Sequence, residues 1–128
     1  MSQRDELVLR DYLEHIHQAI GRIQRYLQNI DHAGFLENEE KQDAVIRNLE
    51  IIGEAAGNIQ RHFPDFVTKY PDFPLKAAYG ARNALAHGYF KVDLDVVWRT
   101  VERDLPGFEL QVAEVLQSLN YTSTSLAP

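Results

Sequence analysis

The sequence predicts an all-α fold, an antiparallel four-helix bundle with a short third helix. Two long stretches carry apolar residues at alternating spacings of four and three, no stretch alternates with period two over a useful length, and Pro64, Pro71 and Pro74 break the chain at one place. In the first stretch Leu9, Leu13, Ile16, Ile20, Ile23, Leu27 and Ile30 form one stripe, with charged and amide residues between them. That is an amphipathic helix. The His32 to Asn38 connection, which holds Gly34, leads to a second stripe of Val45, Leu49, Ile52, Ala56, Ile59 and Phe63. After the prolines, Asp72 is expected to cap a shorter helix from about Leu75 to His87, with Gly88 suited to its end. Asp93 is placed to cap the last helix, whose apolar positions are Leu94, Val97, Val101, Leu105, Phe108, Val112, Val115 and Leu119. Pro106 should kink or split it.

Stripes of this kind pack side by side around a shared apolar seam. With 128 residues, 45% of them hydrophobic, the chain can build one core without external staples. Residues 1–119 are therefore read as a single domain. The Ser- and Thr-rich stretch 120–128 has no periodicity and is expected to be a flexible tail. The two long stripes could also extend across a partner chain, which makes a homodimer an expectation.

Composition removes several kinds of chemistry. There is no cysteine, so disulfides, thiolate zinc sites and thiol nucleophiles are excluded. His15 and His17 are two apart and point in different directions on a helix, so no metal site is expected there. No apolar run approaches the roughly 20 residues of a membrane span, and Ser2, Gln3, Arg4, Asp5 and Glu6 do not read as a targeting segment. A cytoplasmic protein is expected, with no membrane partner. The net charge of −6 argues against non-specific coating of nucleic acid, so any such site must be local. The same charge fits a basic protein partner.

The third helix departs from simple amphipathic logic. At about 100° per residue, Leu75, Ala78, Tyr79, Leu85 and Ala86 share one face, and Arg82 projects from its middle. A guanidinium is seldom placed against a core unless it is paired or lines a cleft. His87 lies five residues on, about 140° further round. Because Gly88 can end the helix there, the His87 ring can turn towards a groove that Arg82 also reaches, with Tyr89 leaving the turn nearby. The negative end of the helix dipole favours the protonated imidazole, which suits a proton-transfer group.

Arg82-Asn83-Ala84-Leu85-Ala86-His87-Gly88-Tyr89 matches the Arg-x4-His-x-Tyr motif of HEPN proteins related to HepT. The resemblance extends to residues 43–55, similar to that family's second-helix signature, and to residues 92–98, similar to the start of its last helix. It implies a metal-independent endoribonuclease toxin that needs no cofactor and acts on RNA rather than DNA. It also implies a cognate nucleotidyltransferase antitoxin that silences the toxin by transferring AMP to the motif tyrosine. By position, Arg82 and His87 would be catalytic, Asn83 would support the site, and Tyr89 would be modified. Other readings stand beside this one: a non-catalytic HEPN module that docks a nucleotidyltransferase or holds a nucleotide, and a plain helical scaffold for which the motif is an accident; Arg82 with His87 would then serve only buried ion pairing that closes the bundle end.

Elsewhere the bland readings lead. Asp43, Arg47, Glu50, Glu54 and Arg61 lie opposite the second helix's seam and are expected to pair across a solvated face, against a role in a dimer groove. Glu37, Glu39 and Glu40 read as a helix N-terminal device. Trp98 reads as core packing, and Tyr79 either lines the cleft or packs.

Overall fold

The computed structural model describes residues 2–87 and 92–125; the side chains of Ala84, Ala86, His87 and residues 120–125 lie outside that description. The first long rod, α1 (Gln3–Tyr26), begins six residues ahead of its first stripe residue. Ser2 caps it, accepting from the Asp5 N–H at 3.0 Å, and Asp5 and Glu6 meet the positive end of the dipole. Leu9, Leu13, Ile16, Ala19, Ile20 and Ile23 are buried on one side.

The connection to the next rod contains a helix of its own, α2 (His32–Leu36), which the sequence shows only as a connection. Five residues are too few to show a period. The signal that was present is local: the Asp31 carboxylate accepts from the Gly34 N–H at 2.8 Å and starts the turn, which drives Phe35 into the core. The second rod, α3 (Glu39–His62), is capped by Asn38, which accepts from the Lys41 N–H at 3.0 Å, with Glu39 and Glu40 in its first turn as the acidic cluster predicts. A further short helix, α4 (Pro64–Lys69), uses Pro64 as its opening residue. The proline that breaks one helix thus begins another, because its missing N–H is an orphan in any first turn.

The short third rod of the bundle is α5 (Leu75–His87), with the bounds its sequence predicts. Its cap differs. The Ala78 N–H bonds to the Pro74 carbonyl at 3.1 Å, so Pro74 holds the capping position and Asp72 stands too early; the Asp72 carbonyl instead accepts from Gln111 Nε2 at 3.4 Å. The last rod comprises α6 (Leu94–Arg99), a π-helical turn (Thr100–Asp104) and α7 (Leu105–Ser125). Asp93 caps it, its carboxylate accepting from the N–H groups of Asp95 at 3.0 Å and Val96 at 3.3 Å. Pro106 neither splits nor breaks the rod. The Leu105 N–H reaches back five residues to the Thr100 carbonyl, and this wider turn absorbs the bond that a proline cannot make.

Together α1, α3, α5 and the α6–α7 rod make the predicted four-helix bundle, with no strand among the described residues. Ile52, Ala56 and Ile59 of α3 and Val112 and Val115 of α7 complete the core that α1 begins. Phe66, Phe73 and Phe108 close one end through two edge-to-face contacts, each with centroids 5.3 Å apart. Trp98 packs against Phe35 at 5.5 Å, in line with a packing role, and its outer face carries the His32 ring, which is also paired with Asp95 at 2.8 Å. Among the described residues no helix is long and apolar enough to cross a membrane.

Candidate functional site

Helix α5 lies against α3, and the contact is unusually close at two places. A methyl group added at Gly53 would stand 2.0 Å from Arg82 Cβ and 2.7 Å from the Ala78 carbonyl oxygen. One added at Gly57 would stand 2.4 Å from Tyr79 Cδ1. Neither distance is compatible with a side chain, so these two glycines set how near the helices come. They are four residues apart on α3, while Arg82 and Tyr79 are three apart on α5 in the opposite order, as antiparallel helices require.

The seam explains why a guanidinium sits on a core-facing side of α5. With Gly53 beneath its Cβ, the Arg82 side chain leaves the helix at the floor of the contact. Arg82 is half-buried, and Nη1 donates to Asn83 Oδ1 at 3.2 Å. Among the described residues no carboxylate pairs with it. A neutral amide steadies the guanidinium without cancelling its charge, which leaves the charge available for an anion.

Of the four motif residues singled out from the sequence, Arg82 and Asn83 are therefore brought together. His87 is the last residue of α5; its ring, and Gly88 and Tyr89 altogether, lie outside the described residues. The approach of His87 and Tyr89 to Arg82 stays an expectation. His15 and His17 are both exposed on α1.

Two features escape the sequence reading. The first is the glycine pair, whose role appears only once a second helix is laid across it. The second concerns Arg61, which does not join an ion-paired stripe: its Nη2 donates to Asn58 Oδ1 at 2.7 Å, and its guanidinium lies over the Tyr79 ring, 5.8 Å from the centroid. Asp43, Arg47, Glu54 and Arg61 are exposed, but among the described residues none pairs with another. The signal that could have found this is the spacing of Gly53, Gly57 and Arg61, which continues one face of α3.

The opposite flank of α5 is different in kind. It borders a groove of about 820 Å³ between α5 and the α6–α7 rod, walled by Ala77, Ala81, Leu85, Val96, Leu105 and Phe108. Asp72, Asp93 and Asp104 also line it, against the single cation Arg103 among the described residues. Acidic groups outnumber basic ones along this flank, whereas the other flank carries the Arg82 guanidinium with no carboxylate paired to it among the described residues.

Comparison with known proteins covers most of the chain. The family model described as "Ribonuclease HepT-like" matches residues 16–115. A protein of Thermococcus cleftensis named "Probable ribonuclease HepT" is 42% identical over 100 residues, 78% of this chain and 88% of the relative. A candidate RNase of Caldanaerobacter subterraneus subsp. tengcongensis is 36% identical over 84% of this chain and 94% of its own length. One of Methanocaldococcus jannaschii is 37% identical over 88% of this chain and 97% of its own length. No solved structure matches the chain.

Proposed function

The chain belongs to the HepT-like ribonuclease family of the HEPN superfamily, and from that premise we propose that it is a metal-independent endoribonuclease, the toxin of a toxin–antitoxin pair. The observation that carries this reading is Arg82, held at the α3–α5 seam by Gly53 below and the Asn83 amide alongside, with no carboxylate among the described residues to neutralise it.

The chemistry proposed is internal attack. The 2′-hydroxyl oxygen of a ribose bonds to the adjacent phosphorus, and the bond from phosphorus to the 5′-oxygen of the next nucleotide breaks. A base takes the hydroxyl proton, an acid gives a proton to the leaving oxygen, and a cation balances the charge that develops on the phosphoryl oxygens. Arg82 supplies the cation and His87 the proton transfers, with Asn83 holding the guanidinium in place. One chain brings one imidazole to the motif. In a homodimer that sets two copies of Arg82 and His87 across one groove, one imidazole would act as base and the other as acid. The products are a 2′,3′-cyclic phosphate and a 5′-hydroxyl.

Regulation follows from Tyr89. In the proposed pair, a cognate nucleotidyltransferase antitoxin joins the Tyr89 phenol oxygen to the α-phosphorus of ATP and releases pyrophosphate. The nucleotide would then block the groove and set its phosphate against Arg82. If so, Tyr89→Phe stays active in the presence of antitoxin and ATP, and silencing of that variant would remove Tyr89 from the scheme.

The acidic net charge favours a second reading, a non-catalytic HEPN module that binds the nucleotidyltransferase or a nucleotide. End-group analysis of digested RNA separates the two. The nuclease leaves cyclic phosphate ends, and His87→Ala abolishes them while its helical circular dichroism is retained. Ends bearing a 3′-hydroxyl would exclude internal attack, and RNA left whole by the wild type would favour the module.

A further inference from the structure

We infer that Arg61 is a second phosphate-binding residue, which holds the RNA strand at a nucleotide away from the one that Arg82 contacts, and that Tyr79 is the positioning residue that aims it. This rests on the ribonuclease reading and adds to it a track along the α3–α5 seam. Arg61 stands eight residues beyond Gly53 on α3, the glycine on which Arg82 sits, about 12 Å along the helix at 1.5 Å per residue. That is several times the spacing of successive phosphates along one strand of a stacked helix, about 3.4 Å of rise.

The two guanidinium groups are held in the same way. Arg82 donates to the Asn83 amide oxygen and Arg61 to the Asn58 amide oxygen, and among the described residues neither is paired with a carboxylate. In a chain with 19 acidic and 13 basic residues, two arginines steadied by neutral groups on one seam supply local positive charge beside Glu50 and Glu54 of the same α3 stripe. The Tyr79 ring packs on Gly57 and also carries the Arg61 guanidinium, 5.8 Å from its centroid, so Arg61 is pre-oriented by a cation–π contact that does not consume its hydrogen-bond donors. The acidic lining on the opposite flank of α5 turns a polyanion away from that side, leaving the seam as its path.

Salt dependence of binding tests the inference without relying on cleavage. The probe is a fluorescein-labelled single-stranded RNA with 2′-O-methyl groups throughout, which internal attack cannot cut. Its affinity is measured between roughly 50 and 200 mM salt with wild type, Arg61→Gln, Arg61→Lys and Tyr79→Leu. Loss of one phosphate contact lowers the slope of log affinity against log salt by about 0.7 and weakens binding about tenfold at the low-salt end. Arg61→Gln should show both effects, Arg61→Lys should keep the slope, and Tyr79→Leu should weaken affinity by a smaller factor. On cleavable RNA, Arg61→Gln should raise KM for long substrates by a larger factor than it lowers kcat. An Arg61→Gln slope equal to that of wild type, with wild type binding and cleaving RNA, overturns the inference and leaves the nuclease reading standing. Wild type that binds with a slope that Arg61→Gln lowers and Arg61→Lys keeps, but never cleaves, overturns the nuclease reading and keeps the track. Failure of the wild type to bind overturns both.

Discussion

Helix α3 presents two faces built on opposite principles. Towards α1 it offers Val45, Ile52, Ala56 and Ile59, which mesh with Leu13, Ile16, Ile20 and Ile23 as any bundle core does. Towards α5 it offers Gly53 and Gly57, which contribute no side chain at all. The first face stabilises the fold by removing apolar surface from water. The second also determines position, bringing one backbone close enough to another that Arg82 starts from the floor of the contact. Stability and the siting of chemistry are thus divided between two sides of a single helix.

Substitutions on each side should separate these roles. The largest loss is expected from Ile20→Ala on the α1 side, about 2–5 kcal/mol of unfolding free energy by urea titration. RNA cleavage per folded molecule should be unchanged. Gly53→Ala on the α5 side should cost less stability, about 1–3 kcal/mol from overpacking. Its cleavage should nevertheless be nearly abolished at temperatures where the variant is fully folded, because the new methyl displaces Arg82. If Gly53→Ala proved as active as wild type per folded molecule, the division between the faces would not hold.

Smaller effects sharpen the picture. Asn48 is the one buried polar side chain among the described residues; its Oδ1 accepts from Arg22 Nε at 2.7 Å, and its Nδ2 donates to the Ala44 carbonyl at 2.8 Å. Asn48→Ala should cost about 1 kcal/mol in the same titration, since the half-buried Arg22 can regain water in part. Gly80, on α5 itself, meets nothing within 4 Å that an added methyl would strike. Gly80→Ala should raise stability by about 0.4–1 kcal/mol and leave activity alone, showing that it is the close approach, and not glycine as such, that matters.

What the sequence makes legible follows the same division. Rods whose burial follows a period, such as α1 and α3, can be read from Leu13, Ile20 or Ile52 alone, because repetition along one chain reflects a face. The bounds of α5 are legible for another reason: Pro74 and Gly88 flank it. Helix α2 is hidden because five residues cannot establish a period, and α4 because Pro64 reads more readily as an end than as a beginning. The π-helical turn before Pro106 is foreseen only as a disturbance, since whether a rod splits or rewinds depends on what packs around it. Arg82 stands out as a charge on an apolar face, and its need for a reason is plain without coordinates. The reason itself is not, because Gly53 acquires its meaning from a helix that lies across it. Arg61 is misread as a partner in an ion-paired stripe on the same grounds, as Tyr79 reaches it from another helix.

Whether Arg82 carries RNA cleavage is tested most directly by the rate at which the purified chain, free of any partner protein, cuts RNA in excess chelator, measured beside Arg82→Ala. The wild type should cleave undiminished, and Arg82→Ala should be slower by about a hundredfold or more. Equal rates for the two proteins, or activity that disappears with the chelator, would contradict a site in which this guanidinium does the work of a metal.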